Sequence, residues 1–84
     1  MRKHKILNKA LNSPSNLRFV EIVSLFEAFG FHLSRISGSH HIFVHPSVRE
    51  LINLQNASGH VKPYQVRQFL RLVERYNLTM GGGS

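Results

Sequence analysis

FHLSRISGSHHIFVHP, residues 31–46, is the stretch on which the fold turns. Phe31, His32, Leu33 and Ser34 alternate apolar and polar, the period-2 signal of a strand that runs from Phe31 to Ile36. Ser37-Gly38-Ser39 is a hairpin-type break, and His40 to His45 forms a second strand, halted by Pro46 because proline cannot donate to a sheet ladder. After a turn at Pro46 to Arg49, Leu51 to Gln55 supplies a third strand, and Asn56-Ala57-Ser58-Gly59 is a loop. Strands joined this closely pair antiparallel.

Helices flank this core of strands. Upstream, Phe19, Ile22, Val23, Phe26 and Phe29 recur at helical spacing, Ser15 or Asn16 can cap the start, and Gly30 supplies a left-handed stop. Downstream, Lys62-Pro63 opens a second helix whose apolar stripe is Val66, Phe69, Leu70, Val73 and Tyr76. The predicted fold is α+β in the order α-β-β-β-α. It has a three-stranded antiparallel sheet with both helices on one face and the other face open, since so small a chain cannot bury both. Residues 1–16 read as a basic arm with one short helical turn near Ile6 to Leu11, hinged to a domain over 17–78. The end, 79–84, reads as a flexible, linker-like tail.

Composition narrows the function. The 84 residues hold eleven Lys plus Arg against four Glu and no Asp, a formal charge of +7 with the six histidines neutral. A polyanion is the natural partner. Four scattered carboxylates are poor material for an acid/base pair or an oxygen-ligand metal site, which leaves His, Lys and Arg as candidate catalysts. Without cysteine there is no disulfide framework and no thiolate zinc site. Asn8 and Lys9 interrupt the apolar run an export signal needs, and no stretch approaches the ~20 apolar residues of a membrane span. The expectation is a cytoplasmic protein with no membrane association and no cofactor.

Three of the histidines, His40, His41 and His45, share one strand. His41 and His45 lie on the same face about 13 Å apart, too far for one ion, and His40 and His41 point to opposite faces, so no metal site is expected. Either Phe43 is buried, taking His41 and His45 inward or to the sheet margins, or Ile42 and Val44 are buried and His40 with them. The larger ring favours Phe43, which puts His40 on the open face. On the second helix, Arg67, Arg71 and Arg75 follow at i, i+4, i+8 with Lys62 at the start, a basic row suited to phosphates.

Gly38-Ser39-His40-His41-Ile42-Phe43, then His45-Pro46, Leu51-Ile52-Asn53-Leu54 and Val61-Lys62-Pro63, with Ala28-Phe29-Gly30-Phe31 before them, resembles the HicA-type toxins of bacterial type II toxin-antitoxin pairs over about residues 18–76. The segment Asn56 to His60 departs from the family's pattern before the last helix, and the basic arm is extra. The resemblance implies a double-stranded-RNA-binding-domain-like fold and a ribosome-independent endoribonuclease that cleaves mRNA. It implies a partner too: a toxin monomeric when free, neutralised in a hetero-oligomer by a HicB-type antitoxin. The family's functional histidine carries over to His40 first and to His41 as the alternate. On that reading Ile42 and Val44, exposed beside His40, are candidate antitoxin contacts.

The chemistry is consistent with that expectation. RNA brings its own nucleophile, the 2′-OH, so cleavage requires a base and cations at the phosphate; a histidine, whose ordinary pKa is about 6.5, suits the first role. Lys62, Arg67, Arg71 and Arg35 are candidates for the second. A non-catalytic RNA-binding module using the same basic helix is the alternative.

Overall fold

A computed structural model describes residues 2–81. It holds helices α1 (Lys3–Asn12), α2 (Phe19–Ala28) and α3 (Pro63–Arg75) and strands β1 (His32–Ser37), β2 (His40–His45) and β3 (Val48–Gln55). The expected α-β-β-β-α order runs from α2 to α3, and the strands form one antiparallel sheet in the order β1-β2-β3. No helix among the described residues is long and apolar enough to cross a membrane.

Strand β2 sets the faces. Phe43 is 1% exposed and pairs with Ile52, while His41 pairs with Leu54, so these residues share the face that α2 and α3 cover. The core closes around Phe26 of α2, whose ring lies 5.1 Å from Phe43 and 4.5 Å from Phe69 of α3. Both helices therefore meet over the same side of the sheet. Strand β1 is exposed along its whole length: Leu33 and Ile36 pair with Phe43 and His41 and yet stay in solvent, because the helices stop short of this edge.

Gly30 does end the helix, for two reasons. At φ +94° it takes the left-handed position of a Schellman turn, in which Phe31 N–H donates to Phe26 O and Gly30 N–H to Glu27 O. A Cβ there would also stand 2.9 Å from His45 Nε2. Asn77, at φ +52°, repeats the turn after α3, with Leu78 N–H on Val73 O and Asn77 N–H on Glu74 O.

Four local expectations need correction. The turn after β2 is shorter than Pro46 to Arg49, and β3 begins at Val48, whose side chain is buried. A shift in register between Phe43 and His45 absorbs the difference. The start of α2 is capped by neither Ser15 nor Asn16, which lie in a 3₁₀ turn; Arg18 precedes the helix, and its N–H donates to the Glu21 carboxylate at 2.9 Å. The basic arm is a ten-residue helix rather than one turn, and it is docked rather than hinged. Ile6 and Ala10, one turn apart, are buried in the core, and Lys9 reaches Glu21 at 3.1 Å. At the other end, Met80 packs on the core and Gly81 N–H donates to Ala28 O, while 82–84 lie outside the described residues.

Candidate functional site

The open face of the sheet carries two cross-strand rows, Ser37–His40–Gln55 and Arg35–Ile42–Asn53. His40 is exposed, and its Nδ1 lies 3.0 Å from Asn53 Oδ1. An amide oxygen accepts only, so Nδ1 carries the proton of the neutral ring and Nε2 keeps a lone pair turned away from Asn53. Asn53 and Arg35 flank Ile42 in the next row, and each is diagonal to His40, at a spacing of roughly 7–8 Å in a regular sheet. The open face thus carries a histidine with an orienting amide and, diagonal to it, the cation of Arg35.

His41 and His45 are occupied elsewhere. His41 lies against Phe19 with ring centroids 4.7 Å apart, and its Nδ1 is 3.2 Å from Ser39 O. His45 uses both nitrogens: Nε2–H donates to Phe29 O at 3.0 Å, and Nδ1 accepts from Ser47 N–H at 2.9 Å. That imidazole ties the end of β2 to the end of α2. Among the described residues no three histidine or acidic side chains converge as a metal site would require.

Helix α3 borders the open face through a residue that the sequence reading passed over. Gln65 is only 2% exposed, and its side chain acts as a short extra strand on the free edge of β3. Its Nε2–H donates to Asn53 O, and its Oε1 accepts from Gln55 N–H at 3.0 Å. Two edge groups of the sheet gain partners, and the backbone carrying Asn53 is fixed. Beside this junction runs a groove lined by His40, Leu51, Asn53, Gln55, Tyr64 and Gln68.

The basic candidates are distributed unevenly. Lys62, Arg67, Arg71 and Arg35 are all exposed, but only Arg35 stands on the same sheet face as His40. Arg67 and Arg71 border a recess with Leu70 and Glu74 on the outer side of α3. Arg75 is paired with Glu50 at 3.0 Å and lies over the Tyr76 ring. Ile42 and Val44 are on the open face and only half-buried; the apolar side chain most exposed on that side of β3 is Leu51.

Two of the four acids have structural tasks. Glu21 is held below the usual glutamate range chiefly by the Arg18 N–H; burial opposes this, and Lys9 adds to the lowering. Glu50 is lowered chiefly by the hydrogen bond from the Tyr76 hydroxyl, with Arg75 adding to it. Both link helices to the rest of the fold, and neither lines the groove.

Asn53 and Gln65 were legible only indirectly. Asn53 sits between Ile52 and Leu54, so alternation sends it outward, but its meeting with His40 depends on the register of the second hairpin. Gln65 is a polar residue on the apolar side of a helix, a pattern that signals a buried partner.

Comparison with curated proteins and with solved structures gives no significant match. Residues 19–74, which run from the first residue of α2 nearly to the end of α3 and include the whole open face, match the family model for the HicA toxin of bacterial toxin-antitoxin pairs. The chain belongs to the HicA toxin family.

Proposed function

We propose that this toxin is a ribosome-independent endoribonuclease that cleaves mRNA in the cytoplasm with His40 as general base. The observation that carries the reading is the His40–Asn53 pair on the open face, which leaves Nε2 free to accept a proton. In the reaction Nε2 takes the 2′-OH proton as that oxygen forms a bond to the adjacent phosphorus. The bond from phosphorus to the 5′ oxygen breaks, and the leaving oxygen takes a proton from water. The products are a 2′,3′-cyclic phosphate and a 5′-hydroxyl. Arg35 stabilises the charge that builds on the phosphate, and Lys62, Arg67 and Arg71 hold flanking backbone.

Because the nucleophile belongs to the substrate, the chemistry requires no metal; DNA, without a 2′-OH, resists. His41 is the weaker candidate, because its ring packs on Phe19 on the other side of the sheet. A HicB-type antitoxin, acidic against this basic chain, covers Ile42, Val44 and His40 together and so blocks RNA.

The test is cleavage of purified, ribosome-free RNA in the presence of chelator, with mapping of the product ends. Cyclic-phosphate ends from wild type and none from His40→Ala support the reading. Binding without new termini would instead support a non-catalytic RNA-binding module.

A further inference from the structure

The groove beside His40 is lined by no charged side chain, although the chain carries a net +7. Its walls are an exposed ring, Tyr64, at 55% exposure, an exposed aliphatic, Leu51, at 52%, and the amides of Gln55 and Gln68 around Asn53. Neither those two glutamine amides nor the Tyr64 hydroxyl has a hydrogen-bond partner among the described residues. A phosphate would be poorly served by such a surface, which offers it no cation. A nucleobase would be well served, because a ring can stack on Tyr64 against Leu51 while its edge meets amides that both donate and accept.

We infer that this groove is a subsite for one unpaired nucleobase next to the scissile phosphate, with Tyr64 as the stacking platform and Gln55 and Gln68 facing the base edge. The inference rests on the nuclease reading for its location and adds a substrate class to it: RNA that is single-stranded at the cut. A base held in a duplex is already stacked and paired, and cannot enter. Divided labour follows, with Arg35 on the sheet holding phosphate and the α3 side of the groove holding the base.

Two readouts separate this inference from the nuclease reading. The first is quenching of 2-aminopurine in a short 2′-O-methyl oligonucleotide, which cannot be cleaved by attack of its own hydroxyl. Wild type should bind it with quenching, Tyr64→Ala should bind about 10- to 100-fold more weakly, and Tyr64→Phe, which keeps the ring, should recover most of the affinity. The second is cleavage of one RNA free and annealed to its complement, where the free strand should be cut and the duplex spared. Tyr64→Ala should lower kcat/KM on the free strand by a similar factor. Quenching that depends on Tyr64 without any cleavage would sustain the subsite and overturn the nuclease. Wild-type binding and cleavage by Tyr64→Ala, or equal cutting of duplex and single strand, would overturn the subsite and leave the nuclease standing. Tyr64 is exposed, so its loss leaves the core intact.

Discussion

On the helix-covered side of the sheet, His41 and His45 are fixed by rings and backbone carbonyls, and Phe43 between them is sealed under Phe26. On the open side of the same strand, His40 has one partner, Asn53, and otherwise faces solvent. Adjacent histidines thus differ because β-strands alternate, and the difference lies in what each ring nitrogen has left to offer. One face of the sheet holds the molecule together; the other lies open to solvent.

If the faces are divided in this way, substitutions should sort by face. The largest effect on stability belongs to Phe43→Ala, which should cost about 3–5 kcal/mol in a denaturant titration. His40→Ala should stay within about 0.5 kcal/mol of wild type. Comparable losses at both positions would break the comparison.

Gln65→Leu comes next and sharpens it, because Gln65 belongs to the core but acts on the open face. It leaves Asn53 O and Gln55 N–H without partners, for a cost of about 1–3 kcal/mol. By loosening the strand that orients His40 it should also lower kcat more than it raises KM. A stability loss with unaltered kcat would confine Gln65 to the core.

The smallest effect is acid sensitivity, and it should fall on the helix side alone. Glu21 and Glu50 have folded pKa values depressed below the unfolded value, about 4.3 for glutamate. Their contribution is complete above that value and is lost as pH falls through the lower, folded pKa. Denaturation midpoints should therefore drop as pH falls below about 4.3, by less in Glu21→Gln and Glu50→Gln than in wild type. An identical slope in the variants would mean that other groups carry the acid response.

Much of this division could be read from residues alone. The size of the Phe43 ring chose the strand's parity, and parity put His40 outside. What could not be read was where one element touches another. The helix of the arm was obscured by its charge: Ile6 and Ala10 are buried and Leu7 packs beside them, a short apolar signal among Arg2, Lys3, Lys5 and Lys9. The Asn53 contact needed the pairing of β2 with β3, which alternation within either strand does not give. Gln65 needed the position of α3 against a free strand edge, which no periodicity encodes. The scarcity of acids also has a fuller explanation, since two of the four secure helices and neither lines the groove.

The most direct test of the account is single-turnover cleavage of one ribosome-free RNA by wild type, His40→Ala and His41→Ala. The expected result is a fall of about 10²- to 10⁴-fold for His40→Ala, with His41→Ala keeping most of the rate. Wild-type cleavage by His40→Ala, or a loss confined to His41→Ala, would contradict it.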